Sequence, residues 1–281
     1  MKKAFIYFNL LLSFTVLSAT AQDLTIPQPS TLQTITQGFG LGQIVLTYSR
    51  PNVKGRKIFG YTEPYGLVWR TGANYATTIK FTEEVTIEDK KVPAGEYGLF
   101  SIPGEKEWTF ILNKTAKQWG AYSYKESDDL IRFKVPVKKT KELTETLTMQ
   151  FADANVNSCL LQMNWEYTEA SLHLKTDVDA HVMANIDRAM QGEKKPYYFA
   201  SIYYYNNNKD INKALEWISA ADKAQPNAYN LKYWKARIQL KAGDKKGAIL
   251  TANEGVKLAT AENSAEYIRL NKEVLADAAK S

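Results

Sequence analysis

From about residue 43 to residue 175 apolar and polar side chains alternate with a period of two, and beyond residue 176 the apolar positions recur at helical spacing in an alanine-rich background. Leu143, Leu147, Met149 and Phe151 share one face of a segment whose other face carries Thr144, Thr146, Thr148 and Gln150, the signature of a sheet with one buried side. The same alternation predicts strands over 43–48, 75–81, 84–88, 97–102, 107–113, 130–135, 143–151, 157–167 and 170–175. Glu88-Asp89-Lys90-Lys91, Pro93-Ala94-Gly95 and Ile102-Pro103-Gly104 supply the breaks between them. With no amphipathic helix between so many close strands, a doubly wound sheet is excluded. The pattern predicts a mainly antiparallel β-sandwich or partly open barrel.

The helical part is organised by a repeat. Asp210, Ala214 and Leu215 return as Asp244, Ala248 and Ile249, each 34 residues on, which is the period of tetratricopeptide repeats. Ala214, Ala221 and Pro226 fall at that repeat's small-residue and proline offsets, and Thr260 replaces the proline in the second unit. Ile211, Leu215, Ile218 and Asp222 trace one helix side with only the last position polar. Leu231, Trp234 and Ile238 line another helix, Ile249, Ala252, Val256 and Ala259 a third, and Tyr267, Leu270 and Val274 a capping helix. Residues 177–191 form a further helix ahead of the repeats. The aromatics from Tyr197 to Tyr205 pack between helices rather than marking a nucleic-acid or membrane surface.

At the N-terminus, Lys2 and Lys3 precede the largely apolar run Ala4 to Val16 and the small residues Ala19 and Ala21, the order a signal peptidase reads. The expected organisation is a signal peptide over 1–21, a β domain over 22–176 and an α-helical tetratricopeptide-like array over 177–281, in a protein of the periplasm or secreted. The apolar run is short for a spanning helix and no later run is longer, so the mature chain has no integral membrane segment. Loss of Lys2 and Lys3 leaves 34 basic and 30 acidic residues, a balance that excludes nucleic acid as the natural partner. Cys159 is the single cysteine, so no internal disulfide forms, and its row with Leu161, Met163 and Trp165 makes it a buried thiol.

The most unusual local composition runs from Leu24 to Thr62, which holds Arg50, Lys54, Arg56 and Lys57 and no acidic residue. Arginine forks hold carboxylate, phosphate or sulfate bidentately, and Trp or Tyr stacks on a sugar ring. Tyr48, Arg50, Arg56, Lys57, Trp69, Arg70 and Asn74 are therefore the candidate ligand-binding residues, for an anionic or glycan ligand. The alternative is internal: Arg50 and Arg70 pair with Glu63, Glu83 or Glu84, and Trp69 caps the core. Neither His173 nor His181 has metal-loop spacing and no cofactor motif occurs, so no metal or cofactor is expected. No serine sits in a nucleophile elbow, and Asp128-Asp129 reads as a solvated turn rather than a hydrolase pair.

The segments YSRPNVKGRKIFG (residues 48–60), PYGLVWRTGANYATTIKF (64–81), VPAGEYGLFSIPG (92–104) and WTFILNKTAKQWGAY (108–122) closely resemble the domain of unknown function 2911 family, over about residues 25–175. The resemblance implies export and a domain boundary near residue 175. It brings no agreed activity, cofactor or catalytic residue. Two function classes remain open: an exported binding or scaffolding module with a basic-aromatic loop site and a helical docking surface for a protein partner, or a periplasmic enzyme acting on glycan or peptide material.

Overall fold

The computed structural model describes residues 26–280, so the expected signal peptide lies outside the described residues. The chain divides into two compact units, the first ending at Thr176 and the second beginning at Asp177. The first is built on β1 (Thr31–Phe39), β2 (Gly42–Arg50), β3 (Ala73–Phe81), β4 (Val85–Ile87), β5 (Lys90–Val92), β6 (Gly95–Ile102), β7 (Glu107–Asn113), β8 (Asp129–Ala152) and β9 (Ser158–Lys175). They form one antiparallel sheet in the order β1-β2-β3-β6-β7-β8-β9-β4-β5.

Three details correct the sequence reading. β1 was not expected, because its TLQTITQGF run is mostly exposed and lacks a buried row to generate alternation. β5 starts at Lys90, inside the expected turn: Glu88 and Asp89 alone reverse the chain, both in the left-handed region at φ 45° and 62°. The expected pairs of strands over 130–151 and 157–175 are single long strands, bent where the β8–β9 register shifts between Lys139 and Thr148. Leu143 falls in that shift and is exposed, whereas Leu147 and Met149 are buried as the alternation requires.

The bend lets the sheet curl towards closure. Residues leaving β2 lie along the second half of β8: the Leu147 amide donates to the Pro51 carbonyl at 2.9 Å and the Val53 amide to the Glu145 carbonyl at 2.7 Å. The enclosed core is aromatic at one end. Trp69 stacks on Trp165 with ring centres 5.7 Å apart, and Phe59 meets Trp108 edge-on at 4.7 Å. Each such ring contributes about 1.5–3 kcal/mol by leaving water, which fixes the loop carrying Phe59 and Trp69 as firmly as the strands. Cys159, Leu161, Met163 and Trp165 are all buried in one row, and burial pushes the Cys159 thiol up to about 11.

The second unit is α1 (Asp179–Ala189), α2 (Tyr197–Asn206), α3 (Ile211–Ala224), α4 (Tyr229–Lys241), α5 (Lys245–Ala261) and α6 (Ala265–Lys280). α3 and α5 begin 34 residues apart, and the recurring aspartates are the reason: Asp210 accepts from the amides of Asn212 and Lys213, and Asp244 from that of Gly247, capping each helix N-terminus. At the end of its apolar row Asp222 is buried, with Lys232 at 2.8 Å and Lys235 at 2.7 Å. α5 and α6 approach closely at Gly255, where a Cβ would lie 2.3 Å from Asn271 Oδ1. No helix among the described residues is long and apolar enough to cross a membrane.

Candidate functional site

The loop between β2 and β3 builds the site. It leaves β2 against β8, turns at Lys54 and Gly55 (φ 49° and 70°), runs past Phe59 into the core, and returns as Trp69, which pairs with Ser101 of β6. The return is locked by small polar groups: Thr71 Oγ1 lies 2.9 Å from Ser101 Oγ, and Thr77 Oγ1 donates to the Thr71 carbonyl at 2.8 Å. A Cβ on Gly72 would sit 3.0 Å from the Ser49 carbonyl oxygen, so that close approach is made at a residue without one.

The seven residues singled out in the sequence separate into four that hold the fold, two that meet at a pocket, and Lys57, which does neither. Tyr48, Arg50, Trp69 and Asn74 hold the fold. Tyr48 is buried with its hydroxyl on Gln33 and Met149, and Arg50 donates from Nε to the Leu147 carbonyl at 3.0 Å and from Nη2 to Thr148 Oγ1 at 2.9 Å. Trp69 is a core ring with Nε1 on the Gly72 carbonyl, and Asn74, at φ 58°, donates to the Ser30 carbonyl and Ser49 Oγ. Lys57 is exposed, and its carbonyl accepts from Thr62.

Arg56 and Arg70 meet at one pocket of about 420 Å³, whose walls include Asn52, Lys54, Glu63 and Trp165. Each guanidinium is pinned on backbone oxygen only: Arg56 Nε on Val53 at 3.0 Å and Nη2 on Asn52 at 2.6 Å, Arg70 Nη1 on Asn74 at 2.9 Å. Among the described residues no carboxylate lies within 4.0 Å of the Lys54 ammonium or of the Arg50, Arg56 or Arg70 guanidinium, so the alternative pairing of Arg50 and Arg70 with Glu63, Glu83 or Glu84 is not formed; the Glu145 carboxylate accepts from the Lys54 backbone amide instead, at 2.8 Å. Glu63 nonetheless feels both arginines. Burial pushes its carboxyl up to about 7, against the opposing pull of Arg70 and Arg56.

Sequence reasoning assigned Glu63 only an ion-pair role and missed Trp165 as a pocket wall. The available signal was position: Glu63 is the first acid after the acid-free stretch. The floor residue Trp165 is 1% exposed and its indole N–H has no partner among the described residues. At pH values below 7 the pocket thus brings together two guanidiniums, an ammonium and a protonated carboxyl, each able to donate a hydrogen bond.

The other candidates are engaged. Asp129 accepts from Asn113, Tyr124 and Arg132 at 2.7–2.9 Å, tying the loop before β8 to the sheet. His173 sits on the exposed face of β9 with Nδ1 3.0 Å from Glu88. In the helical unit Arg237 lies over Tyr205 and Trp234 and lines a pocket of about 330 Å³ with Lys241 and Glu273.

No curated protein and no solved structure matches the chain. One family does, described as "Protein of unknown function (DUF2911)", over residues 30–174, the region of the curled sheet and its pocket. That match covers just over half of the 281 residues, and the chain belongs to the DUF2911 family.

Proposed function

We propose that the β unit is a binding module for a small anionic ligand, held between Arg56 and Arg70. The observation that carries the reading is a pair of guanidiniums fixed by backbone oxygens, without a carboxylate partner among the described residues, on one pocket wall. Holding a guanidinium by one edge leaves its remaining N–H groups pre-oriented, which is how arginine recognises carboxylate or phosphate. Lys54 adds charge, and Glu63 in its protonated form donates to the same ligand. In this reading the protein is exported after cleavage following Ala21, and α2, α4 and their neighbours dock a protein partner through tetratricopeptide-like hairpins. Intact-mass measurement of the secreted protein tests the export step by placing Gln22 at its N-terminus.

Calorimetric titration with sodium acetate, sulfate and phosphate tests the pocket. Saturable binding of at least one anion is expected, weakened about tenfold in Arg56→Gln, the loss of one charge-assisted contact. Absence of binding for all three anions sinks the reading. An enzymatic reading has one observation in its favour, a carboxyl that titrates near neutrality in a pocket, as a general acid on glycan or peptide material requires. Turnover of such material that vanishes in Glu63→Gln would select it over simple binding.

A further inference from the structure

Two exposed aromatic residues are the chain neighbours of the backbone groups that meet the Arg70 guanidinium. The Asn74 carbonyl accepts from Arg70 Nη1 at 2.9 Å and from the Gly120 amide at 3.0 Å. Tyr75 follows that carbonyl and Trp119 precedes that amide. The two pair across a short antiparallel bridge, with ring centres 4.9 Å apart at 87°. Tyr75 is 63% exposed and Trp119 52% exposed. Large rings left in water contribute little to the fold, and here the loop backbone holds them there: the Ala76 amide donates to the Gln118 carbonyl at 2.9 Å.

Gly120 makes the juxtaposition possible. It sits at φ 64°, and a Cβ there would be 3.1 Å from Arg70 Nη1 and 2.8 Å from the Tyr122 ring. The loop backbone therefore comes directly against the guanidinium. The sequence pointed to Trp69 as the ring for stacking, but Trp69 is in the core, whereas Tyr75 and Trp119 are among the rings that face solvent.

A bare phosphate or acetate has no use for these rings, and a neutral sugar has no use for Arg56 and Arg70. A pyranose carrying a carboxylate uses both, because its C–H face packs on an aromatic ring while its acid takes a guanidinium fork. We propose that the site recognises acidic sugars: the ring of a uronic-acid residue packs against Tyr75 and Trp119, and its carboxylate binds Arg70 and Arg56. This inference rests on the anion-pocket reading above. A contact surface for another protein is the competing use of two exposed aromatics, and the Arg56 and Arg70 guanidiniums, with no carboxylate within 4.0 Å among the described residues, favour the sugar acid.

The full chain is titrated with acetate, α-linked trigalacturonate and the uncharged galactotriose, in wild type, Trp119→Ala and Tyr75→Ala. Both substitutions remove exposed side chains, and circular dichroism confirms that each variant is folded. Trigalacturonate is expected to bind at least about tenfold more tightly than acetate, an advantage that shrinks by about tenfold in either variant while acetate affinity stays unchanged. Galactotriose binds more weakly than trigalacturonate. Equal affinity for acetate and trigalacturonate in wild type, or an advantage untouched by both variants, overturns the sugar assignment and leaves the anion pocket standing. If neither acetate nor trigalacturonate binds, the pocket reading itself fails and the sugar assignment falls with it.

Discussion

The hydroxyl of Tyr48 accepts the backbone N–H of Met149 at 2.8 Å, a contact between β2 and β8 across 101 residues of chain, and donates in turn to Gln33 at 2.7 Å. Tyr48→Phe keeps the ring and strands a buried amide. It is expected to cost about 1–3 kcal/mol of stability in urea unfolding, with acetate affinity unchanged. A variant of wild-type stability but impaired anion binding would return Tyr48 to the ligand site.

Glu63 makes the β unit sensitive to pH. Its folded-state value is raised from 4.5 to about 7, chiefly by burial, so the folded chain holds the proton more tightly than the unfolded chain. The associated stability is complete below about pH 4.5 and is lost as pH rises through about 7. Glu63→Gln, neutral at every pH, should match wild type at pH 4 and exceed it by about 1–3 kcal/mol at pH 8 in thermal or urea unfolding. Identical curves at both values would show that the carboxyl is not held out of water.

Arg70 contributes one hydrogen bond to the fold, to the Asn74 carbonyl. Arg70→Lys should lower the melting temperature by only about 2–4 °C, the equivalent of roughly 1 kcal/mol in a domain of this size. Acetate affinity should fall by about tenfold, because an ammonium lacks the planar fork. A melting temperature lower by some 10 °C with anion affinity intact would make the residue structural.

The helical unit depends on a buried charge cluster. Burial alone would raise the Asp222 carboxyl, but hydrogen bonds from Lys232 and Lys235 outweigh it and hold it below the usual carboxylate range. Asp222→Asn removes the buried one of the two carboxylates that hold the Lys232 ammonium, 6% exposed, and leaves it the half-exposed Glu254 at 3.1 Å. Breaking a buried pair in this way costs about 3–5 kcal/mol, to be read from unfolding of the helical signal by circular dichroism. The depressed value also means that stability from Asp222 is present above about pH 4 and lost in acid as pH falls through its folded-state value.

The strand positions that proved easiest to read were those with one buried row, such as Leu147, Met149, Cys159, Leu161, Met163 and Trp165. β1 lacked such a row, and the bend in β8 is a register shift with no local composition of its own. The helices were legible through Asp210 and Asp244 because capping is local chemistry. The site was half legible. An acid-free basic stretch pointed to Arg56, with Arg70 eight residues beyond its end, but whether an arginine spends its donors on β8, as Arg50 does, or on one edge only depends on contacts about 100 residues away. For the same reason Tyr75 and Trp119 could be told from Trp69 only once the loop of 114–122 was placed against β3.

The seam between residues 51–53 and 145–147 also sets an order of events in time. Its partners are more than 90 residues apart, whereas the helical hairpins join neighbours separated by short turns. Closing so long a loop loses entropy before any contact repays it, so chains rich in distant pairings fold slowly and helical ones quickly. Refolding from denaturant should show a fast phase in helical circular dichroism and a slow one in fluorescence of the Trp69–Trp108–Trp165 cluster. Because Asn52 and Lys54 line the pocket from that seam, the capacity to bind an anion should return with the slow phase.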